Sequence, residues 1–130
     1  MTSRQEARIR ELMLLNLFGV FSEADTERRM RVIVDNYAED VLWLDPVETV
    51  CGHAQFGKKA KRLLDTTPDF VFSAAGPIHV VGDLGYLPFN YGVPRQPPAS
   101  SGFDIAQVRD GQIAVLYTFV SGLSDQEDRT

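Results

Sequence analysis

Apolar residues recur at helical spacing from residue 5 to 21. Ile9, Leu12, Met13, Asn16 and Val20 share one stripe, and Leu14, Leu17, Phe18 and Phe21 widen it. A face that broad predicts a helix packed on a sheet. Ser22 to Asp25 breaks the pattern, and either Ser22 or Asp25 can cap a second helix over about 25–37. That helix would turn Met30, Ile33, Val34 and Tyr37 inward, with Arg28, Arg29, Arg31 and Asp35 outward. Val41 to Asp45 reads as a short strand stopped by Pro46. After Gly52 a third helical stretch, about 53–65, carries Phe56, Ala60, Leu63 and Leu64 on one side.

From Pro68 onward the period shortens to two. Residues 69–74 alternate as a strand, and 78–81 with 84–91 form a hairpin in which Pro88 requires a bulge or an edge position. A Pro- and Ser-rich loop covers 94–101, and the tail 124–130 is polar and expected to fray. Phe103–Arg109 and Gln112–Val120, joined by Asp110-Gly111, give the strongest hairpin signal in the chain. Helices first and an antiparallel meander afterwards predict an α+β domain spanning 1–130, with its core at about 6–121. Both faces of the last hairpin are apolar: Phe103 and Ile105 alternate with Ala106 and Val108, and Tyr117 and Phe119 with Leu116 and Val120. One layer of helices hides one face, so the outer face is expected to pair two copies as a homodimer.

Composition narrows the function classes. The chain has 130 residues, 13 basic and 18 acidic side chains, a net charge of −5 and 44% hydrophobic residues. That is enough for one folded domain and too apolar for disorder. Net acidity disfavours nucleic acid or an anionic membrane as partner. Leu12 to Phe21, the longest apolar run, falls well short of the ~20 residues of a membrane span. A single cysteine, Cys51, and an N-terminus without a signal-peptide layout fit the reducing cytoplasm. His53 and His79 lack carboxylates at metal-binding spacing, and no phosphate-cradling glycine loop or serine elbow occurs, so neither metal nor cofactor is expected.

Two carboxylates stand where strands favour apolar residues. Asp45 ends a strand beside Trp43, and Asp104 lies between Phe103 and Ile105 on the face of Ala106 and Val108. A carboxylate turned into such an interior is costly when ionised and its pKa rises. The simpler readings are that Asp45 closes the strand before Pro46, and that Asp104 faces solvent or pairs with Arg95 or Arg62. Trp43, Tyr86, Phe89 and Tyr91 can line a pocket or simply fill the core. Lys58, Lys59, Lys61 and Arg62 read as a solvated helix face, with a phosphate-bearing ligand as the alternative. His53 either satisfies backbone groups at a helix start or faces the pocket.

Tyr37-Ala38-Glu39-Asp40, then Asp45-Pro46-Val47, then Gly52 opening a helix, resembles the ketosteroid isomerases. Gly102-Phe103-Asp104-Ile105 followed by Asp110-Gly111-Gln112-Ile113 is similar to the same family and its SnoaL-like relatives, in the nuclear transport factor two-like superfamily. The resemblance covers roughly residues 6–121. It implies a strongly curved, mostly antiparallel sheet wrapped around three helices into a cone with an apolar pocket, usually dimeric. In those isomerases one Asp, matching Asp45, moves a proton next to a ketone, and a protonated second, matching Asp104, helps a tyrosine bind the dienolate oxygen. Here Asn16, Leu17 and Phe18 surround the tyrosine's place, leaving Asn16 as a weaker donor, and Ala60 stands near a second pocket tyrosine. Steroid isomerisation itself is therefore not expected.

The resulting expectation is a pocket for a small apolar, carbonyl-bearing molecule. Asp45 and Asp104 would be the catalytic pair of a cofactor-independent isomerase or cyclase, with Asn16, Phe18, Trp43, Tyr86 and Tyr91 around the substrate. The alternatives are a non-catalytic binder using the same pocket and a dimerisation module without a ligand.

Overall fold

The computed structural model describes residues 3–121, so the expected frayed tail at 124–130 lies outside the described residues. Ser3 caps helix α1 (Arg4–Leu14) by accepting the Glu6 amide at 3.0 Å. The helix does not continue regularly to Phe21. Leu15–Val20 forms a π-helical turn, closed by the Phe21 amide reaching back to the Asn16 carbonyl at 3.2 Å. This turn keeps Asn16, Leu17, Val20 and Phe21 buried and leaves Phe18 46% exposed.

Asp25, rather than Ser22, caps α2 (Thr26–Asn36), accepting the Arg28 amide at 3.0 Å. Two residues of α2 reverse the expected sides. Val34 is exposed and Arg29 is buried, because the Arg29 guanidinium folds back to donate to the Glu23 carbonyl at 2.7 Å. Strand β1 (Tyr37–Leu44) starts directly at the helix end, earlier than the apolar run suggested. A short β2 (Thr49–Cys51), unforeseen in the sequence, folds back on it with Leu42 opposite Cys51. Gly52, at φ 87°, makes the turn into α3 (His53–Thr66), and a His53 ring nitrogen lies 2.8 Å from the Tyr37 carbonyl oxygen.

The remaining strands are β3 (Val71–Ala74), β4 (His79–Val81), β5 (Leu84–Gly92), β6 (Ser100–Arg109) and β7 (Gln112–Val120). The sheet order is β2-β1-β7-β6-β5-β3, with β4 also on β5. All pairs are antiparallel except β1 with β7. Asp110 and Gly111 both take positive φ, 54° and 76°, as a two-residue hairpin turn of this twist needs. Pro88 is accommodated at a gap: β3 pairs β5 down to Phe89 and β4 pairs it from Tyr86. The Pro88 carbonyl turns into that gap and accepts the Ala75 amide at 2.9 Å, so the missing N–H breaks no ladder bond.

Three helices thus cover one face of a mixed, mostly antiparallel seven-stranded sheet. Ile9, Leu12, Ile33 and Phe56 from the helices meet Leu87, Ala106 and Leu116 from the strands in one buried core. The opposite face stays apolar and open: Phe103 stacks on Phe119 at 4.6 Å between ring centroids and on Tyr86 at 5.3 Å, with Phe119 and Tyr117 exposed. No helix among the described residues is long and apolar enough to cross a membrane.

Candidate active site

A cavity of about 380 Å³ opens between α3, the π-helical turn and the inner face of the sheet. Its walls are mainly aromatic, from Phe21, Trp43, Phe70, Phe72, Phe89 and Tyr91, and its polar groups include Asp45, Asp104 and Thr118. Alternation along β6 turns Gly102, Asp104 and Ala106 inward, so Asp104 is 4% exposed.

Two hydrogen-bond chains end on that carboxylate. Tyr37, at the start of β1, donates its hydroxyl to Asn16 Oδ1 at 2.5 Å, and Asn16 Nδ2 donates to Asp104 Oδ2 at 3.0 Å. Trp43 Nε1 donates to Thr118 Oγ1 at 3.0 Å, and Thr118 donates to Asp104 Oδ1 at 2.7 Å. Burial is the larger influence and pushes the Asp104 pKa up to about 7, while the Thr118 and Asn16 donors oppose the rise. Burial likewise holds Tyr37 well above its usual value, helped by the negative charge of Asp104, so Tyr37 remains a neutral donor. Near neutrality the cavity therefore holds a carboxyl group balanced between its acid and base forms.

Asp45 borders the same cavity in a different state. Its Oδ1 accepts the amides of Val47 and Glu48 at 2.8 and 2.9 Å, and its Oδ2 lies 2.8 Å from Lys59 Nζ. Partial burial pushes its pKa up, but the Lys59 ammonium and the two amides outweigh it and hold the carboxyl below its usual range. Lys59 is buried, with its ammonium 4.1 Å from the centre of the Trp43 ring. It departs from the solvated basic face expected of its run, whereas Lys58, Lys61 and Arg62 are exposed. Asp45 thus closes the strand before Pro46 and also neutralises a buried lysine.

The structure brings Asn16, Trp43, Asp45, Tyr91 and Asp104 together at or beside the cavity. It keeps two expected neighbours away. Phe18 is rotated outward by the π-helical turn, and Tyr86 falls on the outer face because β5 turns Leu87, Phe89 and Tyr91 inward. His79 stacks near Tyr86 on that outer side at 5.7 Å. Sequence reasoning missed Thr118, Tyr37 and Lys59 as site residues. Thr118 did carry a signal, as a polar residue alternating with Leu116 and Val120 on an inward face. Among the described residues no cluster of His, Cys, Asp and Glu could hold a metal.

Solved structures with this fold include a candidate isomerase of the SnoaL-like family from Agrobacterium tumefaciens. It is 21% identical over 92% of this chain and 100% of that one, with a TM-score of 0.80. A candidate SnoaL-like polyketide cyclase from Jannaschia sp. matches at 15% identity over 97% and 94% of the two chains, TM-score 0.78. TerC, crystallised with polyporic acid, matches at 18% identity over 92% and 96%, TM-score 0.70. No curated protein matches in sequence. The sequence profile of the SnoaL-like domain matches residues 20–116, most of the chain, and the protein belongs to the SnoaL-like domain family.

Proposed function

We propose that the cavity binds a small, largely apolar carbonyl compound and that Asp104 carries a proton for an isomerisation or cyclisation. The observation that supports this most directly is a carboxyl group with a pKa of about 7, buried against aromatic walls and held by two directed donors. Ionised Asp104 takes a proton from the carbon beside the carbonyl, leaving an enolate and a neutral carboxylic acid. In an isomerisation the same acid returns the proton to another carbon. In a cyclisation the enolate carbon attacks a second carbonyl of the same molecule, and the acid protonates the alkoxide formed. Both balance without a cofactor. Asp45 is the poorer base, since Lys59 and two amides stabilise its charged form. On the open outer face, Phe103, Phe119 and Tyr117 would pack against a second copy of the chain.

A second reading, a binder without chemistry, is favoured by one observation: the Tyr37, Asn16 and Thr118 donors are all committed to the Asp104 network, leaving none of them for an enolate oxygen. Exchange of carbonyl-adjacent protons in deuterated water, followed by NMR over steroids, aromatic ketones and polyketide fragments, separates the two. Proton transfer by Asp104 predicts exchange that Asp104→Asn slows about 10²–10⁴-fold. Exchange at the wild-type rate in Asp104→Asn overturns the assignment, and saturable binding with no exchange in either protein establishes the binder.

A further inference from the structure

A second cavity, about 660 Å³, lies behind the first. Phe21 and Phe70 line both. Arg29 forms part of its wall and is only 1% exposed. Its Nη1 donates to the Glu23 carbonyl at 2.7 Å and its Nη2 to Thr26 Oγ1 at 3.2 Å. Its Nε–H is buried without a partner. No carboxylate among the described residues pairs with it, and the acidic groups nearby are engaged elsewhere. Glu23 lies near Arg28, Asp25 caps α2, and Asp65 pairs with Lys61. A guanidinium cannot shed its proton to escape burial as a lysine can, so a counter-charge is the remaining way to lower the cost. Arg29 also sits in the first turn of α2, where the helix dipole favours an anion.

We infer that this second cavity is a binding site for an amphiphilic carboxylic acid, its carboxylate on Arg29 and its apolar body against Phe21, Leu64 and Phe70. A guanidinium has five N–H bonds, and two of those of Arg29 are spent on Glu23 and Thr26. The Nε–H and one hydrogen on each Nη are left, and a carboxylate takes two such donors at once. The apolar walls select against a bare inorganic ion. The site is separate from Asp104 and stands or falls independently of the proton-transfer proposal.

The test uses the whole chain, labelled with ¹⁵N, titrated with octanoate, octanol and inorganic phosphate. Octanoate is expected to shift the Arg29 Nε–H resonance and raise the unfolding midpoint. Octanol is expected to leave the Nε–H unmoved, and phosphate to bind at least about tenfold more weakly than octanoate. The Asp104→Asn variant should respond to octanoate as the wild type does, and Arg29→Gln should bind it about 10–100-fold more weakly. The inference is overturned if octanoate and octanol act alike, or if no probe moves the Nε–H. It is overturned equally if phosphate matches octanoate, or if Asp104→Asn abolishes the response and so places octanoate in the first cavity. The wild-type resonance decides the matter even if Arg29→Gln does not fold.

Discussion

Replacing Asp104 by asparagine should change how stability depends on pH more than it changes stability itself. The carboxyl group titrates at about 7 in the folded chain and near 3.9 in an unfolded one. Below about pH 4 both states hold the proton and the group contributes nothing. Between about 4 and 7 the native state keeps a proton the unfolded state has released, so stability falls as pH rises; above 7 the full cost of the buried charge is present. A gap of about 3 on the pH scale, at 1.36 kcal/mol each, is a loss of about 4 kcal/mol. Asparagine cannot ionise, but its amide nitrogen must face one of two donors, Asn16 Nδ2 or the Thr118 hydroxyl. That conflict costs about 1–3 kcal/mol at every pH. The variant should therefore be the less stable protein at pH 4.5 and equal to or more stable than the wild type at pH 8. Urea unfolding followed by circular dichroism at fixed protein concentration measures both curves. Parallel pH profiles for the two proteins would refute the placement of a strained carboxylate at Asp104.

Four further outcomes follow from the same geometry. Thr118→Val removes a donor that favours the charged form of Asp104 and should move the rising limb of any pH–rate profile upward. Lys59→Met leaves Asp45 without its cation and should cost about 2–4 kcal/mol in urea unfolding; an unchanged midpoint would show that the ion pair contributes nothing. Phe119→Arg puts a charge into the outer aromatic patch and should shift the sedimenting species toward monomer, while a wild type that already sediments as monomer dismisses the dimer. Gly102→Ala would drive its Cβ into the Phe119 carbonyl oxygen of the neighbouring strand and should cost about 2–4 kcal/mol by thermal or urea unfolding.

The order of elements could be read from the chain because period, caps and turn residues agree. Asp25 caps as its position suggested, and Asp110-Gly111 adopts the turn its residues prefer. The partners of the site residues could not be read in this way. A two-residue turn at 110–111 continued without interruption would set Asp104 opposite Tyr117. A bulge between Gln107 and Val108 shifts the register by one and brings Thr118 there instead. The periodicity of residues 5–21 is helical throughout, yet the π-helical turn decides that Asn16 and Phe21 face inward and Phe18 outward. Lys59 and Arg29 look like surface charges because the pattern records residue type and not the length of a side chain that can fold back beneath its helix. β2 is too short to show a period of its own.

Trp43 is the one tryptophan of the chain. Its indole N–H touches the same threonine that holds Asp104, its ring faces the Lys59 ammonium, and one edge borders the cavity. Intrinsic fluorescence therefore comes from a single emitter wired to the titrating group and to whatever fills the hollow. Its colour and yield should change as Asp104 gains its proton, and change again when a guest arrives, so unlabelled candidate molecules can be ranked in a cuvette before any reaction is known.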